Sequence, residues 1–332
     1  MFSKILGIAG ALTLACGLAA AQSTTPQPPP VTGTAPAAKA VSPSPKNAPG
    51  ADIPSGGTIR SVVDEVNVIF TVTDKHGKFV RDLKQSQFKI LDNNLPPKQI
   101  KSFEAETDLP LRVGLLIDAS NSIRDRFLFE QQAAVAFLHQ TIRPKTDRAF
   151  VLAFDEVWDV TQDFTNDLDK LTKGVNVIRP GGGTAMWDAV YYACRDKLMK
   201  ESSGQTVRRV IILVSDGDDN QSRALRSEAI QMAQRAGVIV YTISTNLSNI
   251  HDTGDHNLKM LADATGGQAF FPFKLQNLAD DFNDIQAELR SQYSISYKPD
   301  QFEANGQFRA IQIIPDDKKL KIRAKKGYYV PR

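Results

Sequence analysis

The chain has 332 residues, 42% apolar and 23% charged, enough to build one large core or two modest ones. Its net charge is only +3, so no global field draws it to nucleic acid or to an acidic substrate. Two cysteines, Cys16 and Cys194, exclude a disulfide-dense scaffold.

Residues 1–21 read as an export signal. Lys4 supplies a positive start, Ile5 to Leu18 an apolar run, and Ala19-Ala20-Ala21 a small-residue cleavage site before Gln22. The run is short for a permanent anchor. Lipid attachment at Cys16 is disfavoured because Thr13 stands where a branched apolar residue is wanted. A secreted or periplasmic chain is expected, with membrane contact only through an uncleaved or lipidated N-terminus. Without Cys16, Cys194 is a lone thiol in a helical pattern beside Tyr191, Ala193 and Leu198, read as a small buried hydrophobe. Residues 22–57, rich in Pro, Ser, Thr and Ala, lack the apolar surface to offset ordering entropy and read as a disordered tether.

From 58 to 108 the hydrophobic period is two. Val66, Val68, Phe70 and Val72 alternate with Asn67, Ile69, Thr71 and Thr73; further strands fall at Phe88 to Leu91 and Ile100 to Phe103. Residues 109–290 differ: continuous runs (Val113 to Ile117, Ala149 to Phe154, Val210 to Val214, Val238 to Ile243) alternate with helical patterns. In the helix expected over Arg223 to Ala236, Leu225, Ala229, Met232, Ala233 and Ala236 share one face. That alternation predicts an α/β fold with a doubly wound, mostly parallel, Rossmann-like sheet whose ligands bind at the carboxyl ends of the strands. Period two returns over 291–332. Too few strands flank the block for two β domains, so it is expected to be inserted in one small β-sandwich made by both flanks.

Three separated segments offer hard oxygen donors, each after a strand or in a glycine-rich loop: Asp118-Ala-Ser120-Asn-Ser122, Gly181-Gly-Gly-Thr184, and Asp216-Gly-Asp-Asp219. Two carboxylates and three hydroxyls suit Mg²⁺ or Mn²⁺, with Ca²⁺ as an alternative. Asp118, Ser120 and Ser122 can converge from one turn, Thr184 from a loop whose glycines allow close approach, and Asp216 from a third side. Asp218 and Asp219 read as solvated loop acids, and Asp188 as support for the site or a first-turn helix acid. His251 and His256 with Asp252 and Asp255 read as a polar loop rather than a second metal site, and His139 as an ordinary helix residue. Lys318 to Arg323 reads as the solvated face of an edge strand.

This pattern, Asp-x-Ser-x-Ser, then Thr, then Asp, resembles the metal-ion-dependent adhesion site of the von Willebrand factor A family over about Leu111 to Leu289. The resemblance implies that Ser120, Ser122 and Thr184 ligate the metal through hydroxyls, and Asp118 and Asp216 directly or through water. Val66 to Asp74, Leu109 to Asp118 and Lys326 to Pro331 resemble an exported bacterial subfamily, from which Asn121 departs where many members carry Gly. The implied function is a non-enzymatic, metal-dependent binding module that captures an acidic residue of a protein partner. Its rivals are a module in which the metal only braces loops and a metal-dependent hydrolase, for which no general base is evident beside the three segments.

Overall fold

Period-two alternation at the start of the described chain builds three strands, β1 (Val66–Thr73), β2 (Phe88–Asp92) and β3 (Gln99–Glu106). The structure, a computed structural model, describes residues 65–330 apart from 107–108, 125–126, 202–205, 247–251, 273, 275–276 and 304. The expected signal and tether lie outside the described residues. No helix among the described residues is long and apolar enough to cross a membrane.

The α/β block follows in chain order. It comprises β4 (Leu111–Asp118), α1 (Phe127–Thr141), β5 (Arg148–Phe154), β6 (Trp158–Thr165), α2 (Leu168–Asn176) and α3 (Met186–Tyr192), which continues into a π-helical turn over Ala193–Leu198. Then come β7 (Arg208–Ser215), α4 (Arg226–Arg235), β8 (Val238–Ser244), α5 (Thr253–Thr265), β9 (Ala269–Phe270) and α6 (Asn277–Leu289). The sheet order is β6-β5-β4-β7-β8-β9, parallel except where β6 runs antiparallel to β5. All eight residues of β4 are buried. Leu115 and Ile117 pack under α1, α2 and α6, while Leu116 packs on the other face with α3, α4 and α5. A strand covered on both faces needs apolar residues at every position, which is why these runs show no alternation.

The chain then returns through β10 (Gln292–Lys298), β11 (Phe308–Pro315), β12 (Lys321–Ala324) and β13 (Gly327–Tyr329). Strands from both flanks interleave: β12-β1-β10-β3 form one sheet and β13-β11-β2 another. Val68, Phe70 and Ile90 share a core with Tyr293, Ile295 and Ile311, so residues far apart in sequence close a single sandwich around the inserted block. At its centre lies the buried Asp92 carboxylate. It accepts hydrogen bonds from Tyr297 Oη at 2.8 Å, Tyr328 Oη at 2.9 Å and Arg309 Nε at 2.6 Å, tying the two sheets together. A second buried acid, Glu288 at the end of α6, accepts from Thr71 on β1 and Tyr241 on β8, each at 2.9 Å, and pairs with Arg323 on β12.

Three sequence expectations are corrected. The antiparallel edge strand β6 was not anticipated, because its half-exposed, polar-rich alternation lies between two stronger apolar patterns. Helix α4 starts at Arg226, and Leu225 precedes it with its side chain 64% exposed rather than on the apolar face. Arg323 turns inward to Glu288 and Gln268, so the basic stretch is not uniformly solvated.

Replacing Asp92 by Ala removes the acceptor shared by a cation and two hydroxyls. Urea denaturation is expected to show a loss of about 3–5 kcal/mol for Asp92→Ala, against about 1 kcal/mol for Tyr328→Phe.

Candidate metal centre

Parallel register brings the ends of β4 and β7 side by side, pairing Ile117 with Val214, so that Asp118 and Ser215 emerge together at the carboxyl edge. Asp118 is fully buried. Its Oδ1 accepts the Ser120 N–H at 2.8 Å and its Oδ2 accepts the Ser215 hydroxyl at 2.6 Å. The Ser120 N–H bond folds the chain back on itself, and one 3₁₀ turn over Asn121–Ile123 follows. Ser120 Oγ and Ser122 Oγ then lie 2.9 Å apart, and Ser122 Oγ donates to Asp216 Oδ2 at 2.6 Å. A hydroxyl has one hydrogen, so with that of Ser122 committed to Asp216, Ser120 is the donor in the first bond.

The loop carrying Thr184 is pinned on both sides by main-chain bonds. Gly181 N–H donates to Ala119 O at 2.6 Å and Asn121 N–H to Gly182 O at 3.2 Å. The Thr184 N–H donates to Asn220 Oδ1 at 3.0 Å, and its carbonyl accepts from the N–H groups of Asn220 and Gln221. A Cβ on Gly183 would lie 2.8 Å from Asn220 Oδ1, so a larger residue there would displace the side chain that accepts the Thr184 N–H. Gly217, with φ +81°, lets the chain turn after Asp216, where a Cβ would strike Gly254 O at 2.2 Å.

All five expected residues therefore stand on adjoining loops of one edge. Ser120, Ser122 and Asp216 are joined directly through side chains and Asp118 through the Ser120 amide, whereas the buried Thr184 bonds Asn220 and Gln221 and none of the other four. Sequence reasoning missed Ser215 and Asn220, which orient Asp118 and the Thr184 loop; a polar residue at each strand end or loop was the available signal. It also misread Asp219. Rather than being solvated, Asp219 accepts from Trp187 N–H at 3.0 Å and Ser222 Oγ at 2.6 Å, holding the start of α3. Asp188 accepts from the backbone N–H groups of Arg223 and Ala224 ahead of α4.

The electrostatics are those of an uncompensated acid. Burial pushes the Asp118 carboxyl up to about 6; the Ser215 and Ser120 bonds oppose the rise and the Asp216 charge adds to it. Asp218 is also raised, first by burial and then by the charges of Asp216, Asp252 and Asp255. Among the described residues no cationic side chain pairs with Asp118 or Asp216. Two carboxylates and three hydroxyls around a buried, unpaired acid fit a small hard divalent cation.

The other candidates resolve differently. His251 lies outside the described residues. Asp252 caps α5 through the Asp255 N–H and also accepts from Asn246, while Asp255 accepts the Ser244 hydroxyl at 2.6 Å. No cluster of three or more His, Cys, Asp or Glu suited to a metal occurs among the described residues. His139 bonds Thr172 at 2.9 Å. Cys194 is wholly buried in the π-helical turn, which drives its thiol far above the usual range.

A family model described as von Willebrand factor type A domain matches residues 113–288. No curated protein matches. Among solved structures, a von Willebrand factor type A protein from Catenulispora acidiphila is 14% identical, with 82% of this chain and 75% of that chain covered and a TM-score of 0.49. Proximal thread matrix protein 1 from the mussel byssus, with a zinc-occupied MIDAS motif, is 15% identical over 60% of this chain and 50% of that one, TM-score 0.48. The vWF domain of the type V pili tip protein Mfa5 from Porphyromonas gingivalis is 17% identical over 54% and 94%, TM-score 0.43. The chain spans about half the length of the mussel proteins it matches.

A carboxyl whose folded value lies above its unfolded one contributes stability below the unfolded value, and that contribution is lost as pH rises through the folded one. For Asp118 the window runs from the ordinary aspartate value of 3.8 to about 6, and the loss amounts to about 3 kcal/mol. Asp118→Asn keeps an acceptor for Ser120 and removes the charge. Denaturation in EDTA is expected to show the variant more stable than wild type above this window, with the gap closing below it.

Proposed function

We propose a function from the premise that this chain belongs to the von Willebrand factor type A family: its α/β block holds one divalent cation and through it captures an acidic residue of a protein partner. The ion is Mg²⁺ by preference, with Mn²⁺ or Ca²⁺ as substitutes, held by Asp118, Ser120, Ser122, Thr184 and Asp216. The observation that carries this reading is the buried Asp118 carboxylate, without a cationic partner, beside the Ser120–Ser122–Asp216 chain of oxygens.

The donor set explains why binding is favoured over catalysis. Three of the five donors are neutral hydroxyls, so the set carries at most two negative charges against the ion's two positive ones, and no excess negative charge repels an incoming acid. The neighbouring acids Asp188 and Asp219 are occupied by backbone N–H groups, which leaves them poorly placed as general bases. Apolar side chains at the same edge supply contact area: Leu128, Val157, Val177 and Leu225 are all more than half exposed on loops or helix starts around the site. Read with the export signal, the partner lies in the periplasm or outside the cell.

The rival reading, an ion that only braces loops, draws on the hydrogen bonds that already join Ser122 to Asp216 and Asn121 to Gly182. Calorimetric titration of Mg²⁺ separates the cases. Binding heat is expected for wild type and Asp218→Ala, lost in Asp118→Ala and weakened in Thr184→Ala. Equal heats in all four proteins would overturn the site. Partner capture that persists in EDTA would favour bracing.

A further inference from the structure

At the opposite, amino edge of the central sheet, a cleft separates the starts of β7 and β8 from the outer face of the sandwich. Asn67 and Ile69 contribute from β1, on the face turned away from the sandwich core, and Val238 and Ile239 contribute from β8. Two cations line the same space: Arg209 near the start of β7 and Lys325 just after β12.

Both cations lack an acid. Arg209 Nε donates to the Leu198 carbonyl at 2.8 Å and Lys325 Nζ to the Asn67 carbonyl at 2.9 Å. Neither meets a carboxylate within ion-pair distance among the described residues. Glu201, the one acid that tempers the Arg209 charge, is already paired with Arg112 at 3.2 Å and Arg148 at 2.8 Å. Burial disfavours both charges. It holds the Lys325 ammonium down to about 8, and it lowers Arg209, with the like charge of Arg112 adding to the effect. Two half-buried cations beside aliphatic walls favour an anion with an apolar body in the space between them.

We propose that this cleft binds a small amphipathic organic anion, its carboxylate or phosphate engaged by Arg209 and Lys325 and its short hydrocarbon body lying on Ile69, Val238 and Ile239. The cleft exists only when β1 and the chain after β12 have closed the sandwich, so occupation also stabilises the junction between sandwich and α/β block. None of its residues belongs to the metal centre.

Calorimetry on the full chain tests this with hexanoate, hexyl phosphate, inorganic phosphate and hexanol. One or both six-carbon anions are expected to bind with one site per chain, and which binds tighter identifies the head group. Inorganic phosphate should bind more weakly and hexanol not at all. Lys325→Gln and Ile69→Thr should each weaken the anion by about tenfold or more, while Asp118→Ala leaves it unchanged. Lys325→Met, which keeps the aliphatic stem, gives the same reading if Lys325→Gln does not fold. No binding by either anion, or equal affinity in wild type and the Lys325 variants, would overturn the proposal.

Discussion

Placing a carboxylate at the end of a strand buried on both faces is the constraint from which the site follows. Asp118 terminates β4, all of whose residues are buried, and the acid inherits that burial. In such surroundings a charge needs strong compensation, and among the described residues Asp118 is met by Ser120 and Ser215 and by no cation. Every nearby feature is arranged around this deficit: the hydroxyls of Ser120 and Ser122, the second carboxylate of Asp216, and the loop of Thr184 drawn close over Gly183. Under the proposed function a divalent cation would answer the deficit in a way that a lysine or arginine does not, because it takes several oxygen ligands at once.

The same logic explains why the scaffold is rigid where the site is built. Parallel pairing of β4 with β5 and β7 aligns the strand ends, and main-chain bonds from Ala119 to Phe154, Gly181 to Ala119 and Asn121 to Gly182 stitch the loops across that edge. Asp219 and Asp188 add a second tier by fixing the starts of α3 and the loop before α4. Acidic side chains thus divide into two kinds here. Asp219 and Asp188 commit their oxygens to the starts of neighbouring helices, whereas Asp118 and Asp216 each accept one N–H from their own turn and one serine hydroxyl.

The sandwich is joined to the α/β block by Glu288, which collects Thr71, Tyr241 and Arg323 from three different strands. Asp92 does the equivalent inside the sandwich. Both are buried acids satisfied by partners that are remote in sequence, and neither could be recognised from local pattern: Asp92 falls just past the stretch Phe88 to Leu91 that reads as a strand. Their roles depend on pairings between the two flanks, across an insertion of well over a hundred residues.

Local order was open to reading because it rests on short-range physics. Unbroken Val/Ile/Leu runs such as Val113 to Ile117 and Val210 to Val214 read as strands covered on both faces, and alternation in β1 marked Val66, Val68, Phe70 and Val72 as its core face, while the burial of Thr71 on the other face came from the α/β block. Strand-end position likewise singled out Asp118 and Asp216 as candidates, since such sheets gather ligands at their carboxyl edge. What tertiary structure alone decided is which partner each oxygen meets: Asp216 and Asp219 are three residues apart and chemically identical, yet one meets the Ser122 hydroxyl and the other the N-terminus of α3. It also decided that Leu225 is exposed and that Arg323 pairs with the buried Glu288. Sequence dictates which groups are polar and how far apart they stand along the chain; only packing across strands determines which of them are left without a partner.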